Sequence, residues 1–342
     1  MKAVRFHEHG GIDVLKFEDA PEPKINADEV LVRVRACALN HLDLWLRIGL
    51  RGTDLSMPHI VGSDIAGDVA EVGSLVTHVK VGERVLLSPG IGCGNCHACC
   101  SGLDSTCREF TLFGAGVDGG YAEYVKSPKF NVIPIPSQLS WTEAAAVPLV
   151  FLTAWHMLVS RVKLQQGENI LVLGAGSGVG SAAIQIAKLF GARVIATAGN
   201  EQKLAKARAL GADDLINHGR QNISGEVLRL TDKRGADVVF EHVGADVWQA
   251  CMDSLATNGR LVTCGATTGA EVKIDLRALF ARHRSIFGSY MGSKAELLEV
   301  LKFIFSRKLK PVIDSTFPLQ EAAAAQKRME DREQFGKIIL QP

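Results

Sequence analysis

Four cysteines, Cys93, Cys96, Cys99 and Cys107, are separated by two, two and seven residues. Thiolates are soft ligands, and four in one short loop supply the full donor set of a closed tetrahedral zinc site. Gly92, Gly94 and Gly102 permit the sharp reversals such a loop needs. With no coordination position left open the metal is structural, one Zn2+ per chain. Cys100 stands outside this set, and a set with Cys100 in place of Cys99 is a less regular alternative.

A second constellation is Gly174-Ala-Gly-Ser-Gly-Val-Gly180. It lies between an apolar strand, NILVL, and a helix that places Val179, Ala183, Ile186, Ala187 and Phe190 on one face. Positions without side chains let backbone approach a diphosphate, and the free amides and dipole of the helix start bind its charge. Gly176, Ser177, Gly178 and Val179 are therefore expected at the dinucleotide. An NAD site normally places a carboxylate about 20 residues past the glycines. Here the stretch is Thr197-Ala198-Gly199-Asn200, with no acid at Ala198 or Gly199, and Lys203 follows. This pattern favours NADP(H) over NAD(H), with Lys203 paired to a 2′-phosphate; a solvated lysine beside Glu201 is the plainer alternative.

The elements around these motifs fall into two textures. To about Lys129 the chain reads as short alternating strands broken by turns. From Asn169 strand and helix alternate through ADVVFEHVG, a helix near Val247–Leu255, GRLVTCG and SIFGSY, which predicts a doubly wound parallel sheet of about six strands. An amphipathic helix (Lys294–Phe305) and a closing strand, GKIIL, are too little for a third domain and return to the first. The expected boundaries are 1–150 with 292–342 for the β-rich domain, its zinc loop at 92–108, and 151–291 for the nucleotide domain.

Composition agrees with a small-molecule enzyme. The 342 residues carry 38 basic and 37 acidic side chains, a formal charge of +1, so nothing points to nucleic acid or an anionic membrane. Apolar runs stop short of the ~20 residues of a membrane span. The N-terminal MKAVRFHEHGG lacks a signal-like apolar stretch, so a cytoplasmic, reducing location is expected, where crowded cysteines bind metal rather than pair.

With these motifs in place the chain resembles the medium-chain dehydrogenase/reductase superfamily, in its zinc-containing alcohol dehydrogenase and quinone oxidoreductase branches. The similarity covers nearly the whole length, including GSDIAGDVAEVG, the four-cysteine loop, AAAVPLVFLTAW and the closing FGKIIL. It implies a Rossmann nucleotide domain with a GroES-like β-barrel catalytic domain. Alcohol dehydrogenases hold a catalytic zinc through three ligands; Cys37 matches the first, but Ser63 and Leu149 occupy the other two positions. A catalytic Zn2+ is therefore not expected. A reshuffled site from Cys37, His41 or His59, and Asp64 is the alternative.

Asn40-His41-Leu42-Asp43 is similar instead to the Asn-x-x-Asp stretch of zinc-free quinone and enone reductases. The resemblance implies that Asn40 and Asp43 orient substrate and loop, that His41 donates a proton, and that Thr153 contacts the nicotinamide. Val243, Cys264, Gly265 and Ala266, and Gly288, Ser289 and Tyr290 would frame the ring, and Lys337 would reach the pyrophosphate. Trp45, Met57, Phe113, Phe151 and Leu152 either line a substrate cleft or pack the core.

Alcohol oxidation needs an alkoxide stabilised by a Lewis acid, whereas reduction of a conjugated alkene or quinone delocalises its charge. The missing ligands point to NADPH-dependent reduction of a quinone, enone or related carbonyl. Aldehyde or alcohol substrates belong to the alternative, a zinc alcohol dehydrogenase. A non-catalytic dinucleotide sensor is the reading outside enzymology. The last Rossmann strand, SIFGSY, resembles an edge that family members pair across a two-fold axis, so a homodimer or homotetramer is expected.

Overall fold

The computed structural model describes every residue except Arg51. The chain divides into two units. The first comprises Met1–Leu149, Ser293–Phe305 and Lys310–Pro342; the second comprises Val150–Gly292 and Ser306–Leu309.

The first unit is built on a seven-stranded sheet. Its strand order is Ile313–Pro318, Lys337–Gln341, Glu29–Ala38, Asp64–Val72, Arg84–Leu87 and Val132–Pro134, and Tyr124–Pro128 also pairs with Glu29–Ala38. Along EVLVRVRACA the inward positions Val30, Val32, Val34 and Ala36 are buried while Arg33 and Arg35 are exposed, the period-two pattern of a half-solvated strand. Phe6, Ile65, Phe113, Tyr121 and Leu340 complete this core. Phe113, like Phe151 and Leu152 of the second unit, is core packing, with 2% exposure or less.

The second unit is a six-stranded, wholly parallel sheet. Its order is Asp214–Asn217, Arg193–Ala198, Asn169–Val172, Ala236–Glu241, Leu255–Thr263 and Ser285–Gly288. In chain order this is 3-2-1-4-5-6, the Rossmann arrangement, which places the ligand at the carboxyl ends of the strands where the order reverses. The near-continuous apolar runs NILV and ADVVF follow from burial on both faces.

Candidate functional site: a buried lysine–carboxylate cluster and a dinucleotide turn

Strand register assembles the polar cluster of the first unit. Ala38 lies opposite Asp64 on one side and Ile339 on the other, so Cys37, Asp64 and Lys337 arrive together from three distant parts of the chain. The Lys337 ammonium donates to Asp64 Oδ2 (2.8 Å), Asn40 Oδ1 (2.6 Å) and the Leu39 carbonyl (2.6 Å). Three protons meet three acceptors in a side chain that is almost wholly buried. The expectation that Lys337 reaches a pyrophosphate is therefore corrected: no ammonium proton is left for it.

Asp64 is equally occupied. Its Oδ1 accepts the Leu149 amide (2.7 Å), and Oδ2 also accepts Asn40 Nδ2 (3.0 Å). Asp64 and Asn40 thus hold the loop and present no free group to a substrate, which corrects the substrate contact expected of Asn40. Asn40 caps the helix His41–Ile48 in a reciprocal box with Asp43, whose carboxylate accepts the Asn40 amide at 2.8 Å and the Tyr121 hydroxyl at 3.2 Å. The Asn-x-x-Asp spacing is thus capping geometry. Burial, with Oδ1 unpartnered, pushes the Asp43 carboxyl up to about 7. His41 opens the same helix, its ring 6.2 Å from Trp45.

These side chains do not fit a catalytic zinc. Cys37 is fully buried, and burial raises its thiol well above its ordinary value. Gly62 and Gly120 wall it in: a Cβ at either would stand 2.8 Å from its sulfur. Ser63 donates to the Phe113 carbonyl (2.7 Å), and the buried His59 ring nitrogen lies 3.0 Å from the Gly114 carbonyl. Asp64, already neutralised by Lys337, completes an unsuitable set.

The four-cysteine loop does fit a metal. The sulfurs of Cys93, Cys96, Cys99 and Cys107 all lie within 4.8 Å of one another, and Cys93 and Cys99 are 3.9 Å apart. Tetrahedral zinc at ~2.3 Å from each sulfur requires about 3.8 Å between them. Cys99 is the member of this set, and the exposed Cys100 thiol turns to the Asn95 carbonyl.

In the second unit, Ser177 caps the helix Gly178–Leu189, its Oγ accepting the Gly180 amide at 2.8 Å. Gly174 has φ +58°, and a Cβ on Gly180 would meet the Gly174 carbonyl at 2.4 Å, so turn and helix close only with glycine at both places. Gly176, Gly178 and Val179 complete this turn at the carboxyl end of the first sheet strand.

At the next strand end, Ala198 is buried and Gly199 leads into Asn200, whose Oδ1 accepts the Lys203 amide. Glu201, the neighbouring acid, accepts Asn217 Nδ2 (2.6 Å). His218, which the sequence reading missed, brings its Nε2 within 3.3 Å of where a Gly199 Cβ would stand. Burial first, and then the Lys203 charge, lower its pKa.

Val243, Gly265, Ala266, Ser289 and Tyr290 all follow strand ends of the same sheet. Glu241, also missed, is fully buried; it accepts the Val243 and Gly244 amides and the Thr263 hydroxyl, bracing the turn that presents Val243. An acid closing the mostly apolar, buried strand ADVVFE was the available signal. The Thr153 and Ser289 hydroxyls are buried without a partner, as donors awaiting a polar ligand would be. These features fit a nicotinamide dinucleotide.

A Rossmann sheet with this turn, in one chain with a β-rich unit bearing four convergent thiols, defines a zinc-containing nicotinamide-dependent oxidoreductase. Residues 26–137 match the alcohol dehydrogenase GroES-like domain, and residues 178–306 match the zinc-binding dehydrogenase family. An NAD-dependent alcohol dehydrogenase of Sulfurisphaera tokodaii is 32% identical over 351 residues, covering 100% of both chains. A quinone oxidoreductase of Pseudomonas aeruginosa is 31% identical, covering 100% of this chain and 99% of its own. The solved structure of an NAD-dependent alcohol dehydrogenase superposes with a TM-score of 0.97 at 45% identity over all of both chains. The chain belongs to the medium-chain dehydrogenase/reductase superfamily and is an NAD(P)-dependent oxidoreductase. Among the described residues no helix is long and apolar enough to cross a membrane.

Proposed function

We propose that this enzyme transfers hydride from NADPH to a quinone, an enone or a related carbonyl compound, with one structural zinc at Cys93, Cys96, Cys99 and Cys107 and none at Cys37. The observation that carries the reading is Lys337, whose ammonium fills the carboxylate of Asp64 beside the fully buried Cys37 side chain. An internal cation on that carboxylate opposes a second one. The bound cofactor supplies the hydride. The chain's own part is positional: Thr153 and Ser289 offer buried hydroxyls to the nicotinamide end, Val243, Gly265, Ala266 and Tyr290 frame it, and His41 supplies the proton. The absence of an acid at Ala198 and Gly199, with Lys203 and His218 alongside, supports a 2′-phosphate there.

Metal analysis and turnover test the reading together. One zinc per chain is expected, with steady NADPH oxidation on 1,4-benzoquinone or 2-cyclohexenone. NADPH should bind at least about tenfold more tightly than NADH, an advantage that Lys203→Gln largely removes. Two zincs per chain, with alcohol oxidation abolished by Cys37→Ser, would support the second reading, a zinc-dependent alcohol dehydrogenase with reshuffled ligands. The alcohol dehydrogenase relatives and their NAD dependence favour that one. The proposal extends to assembly: a homodimer formed through the open edge of the Rossmann sheet, or a homotetramer built from such dimers.

A further inference from the structure

We propose that His242 is a positioning residue for the dinucleotide, and that it makes the Ser177 hydroxyl a dedicated donor to the diphosphate. The inference rests on the dinucleotide reading above and adds a residue to it.

His242 follows the strand Ala236–Glu241, and its ring returns to the glycine turn. Its Nε2 lies 3.0 Å from the Leu173 carbonyl and 3.2 Å from Ser177 Oγ. A carbonyl only accepts, so Nε2 must carry the proton, which fixes the tautomer. Burial holds the ring below the ordinary histidine pKa, in its neutral form near pH 7. A protonated Nε2 has no lone pair, so Ser177 cannot donate to it; the one Nε2 proton is forked between the Leu173 carbonyl and Ser177 Oγ, which receives its share.

Gly180 also donates to Ser177 Oγ, at 2.8 Å. A hydroxyl has two lone pairs, and both are now taken. Its own proton is left over at the mouth of a helix N-terminus, where an anion belongs. Glu241, the ionisable neighbour of the ring, does not compete, since its oxygens accept the Val243 and Gly244 amides and the Thr263 hydroxyl. Gly174 leaves room for the imidazole: a Cβ there would stand 3.1 Å and 3.2 Å from its ring atoms, closer than ordinary van der Waals contact.

The test uses the purified full chain with His242→Phe, His242→Gln, Ser177→Ala and the double variant Ser177→Ala/His242→Phe. Phenylalanine keeps the bulk and loses the donor; glutamine keeps a donor of similar reach. Dissociation constants for NADPH, and for adenosine 2′-monophosphate as a probe without the diphosphate, are read by fluorescence and calorimetry. His242→Phe and Ser177→Ala should each weaken NADPH about tenfold or more, the double variant no further than either, because both act through the one hydrogen bond from Ser177 to the diphosphate. His242→Gln should recover most of the loss. Adenosine 2′-monophosphate should bind as in the wild type, and KM for NADPH should rise with kcat changed by less than about twofold. Wild-type NADPH affinity in His242→Phe, additive losses, or equal loss of the diphosphate-free probe would overturn the proposal. Failure of the wild type to bind either nicotinamide dinucleotide would instead overturn the functional reading beneath it.

Discussion

Asp43 is the residue at which burial and capping conflict. Its carboxylate closes the helix box with Asn40, yet it is fully buried with one oxygen unpartnered, and its pKa rises to about 7. In the unfolded chain it titrates near about 3.9. Between those values the folded state holds more protons than the unfolded one, so this group's contribution to stability falls as pH rises and levels off above 7, at up to about 1.4 kcal/mol per unit. Asp43→Asn keeps an acceptor for the Asn40 amide and removes the titration. Wild-type stability measured against this variant by urea unfolding should drop by roughly 2 kcal/mol between pH 5 and pH 8; a flat difference would remove the buried-acid account. Asn40 and Asp43 could be singled out in the sequence because they are local, three residues apart. Lys337 and Asp64 are 273 residues apart, and no local spacing reveals that a cross-sheet register joins them. His242 was passed over for a related reason: it reaches the glycine turn only through the parallel pairing of its strand with Asn169–Val172.

Elements with a strong period were the most legible. The amphipathic helix read at Lys294–Phe305 spans those residues in the structure, and the closing GKIIL became the strand Lys337–Gln341. The alternation after Asn169 gave a parallel sheet of six strands because short, largely apolar runs such as NILV and RVIATA recur between helices. The zinc loop was legible from spacing alone, since Cys93, Cys96 and Cys99 share one compact turn, but the rejection of Cys100 depends on where its sulfur points. The loop has little core of its own, and Cys107 is its one buried thiol. A metal held by the four sulfurs would therefore supply most of its order. Cys107→Ser should release zinc and raise the rate of proteolysis within this loop at least about tenfold, while NADPH affinity, set in the other unit, stays within about twofold. Unchanged cleavage in a zinc-free variant would mean that the loop is held by other contacts.

At the scale of the whole molecule the open question is the unpaired sheet edge. Ser285–Gly288 pairs with Leu255–Thr263 and forms the end of the parallel sheet. An exposed edge strand invites pairing unless it is covered. The neighbouring segment is unusually apolar for solvent, with Leu276 66% and Phe280 69% exposed and Val272 and Ile274 also open. Charge alone could protect a lone edge, but Phe287 and the stretch from Val272 to Phe280 offer a second copy an apolar margin beside the edge's free hydrogen-bonding groups. A two-fold pairing of these edges satisfies both at once, and it uses one surface on each copy, so the assembly closes. Phe280→Asp puts a charge in that margin and should weaken self-association about a hundredfold. Sedimentation velocity at micromolar concentration should show a dimer or tetramer for the wild type and a smaller species for the variant, with NADPH affinity retained because the glycine turn follows Asn169–Val172, three strands in from this edge. A wild type that sediments as a monomer, or a variant that assembles as the wild type does, would leave the edge without a partner and require the apolar margin to serve something other than self-association.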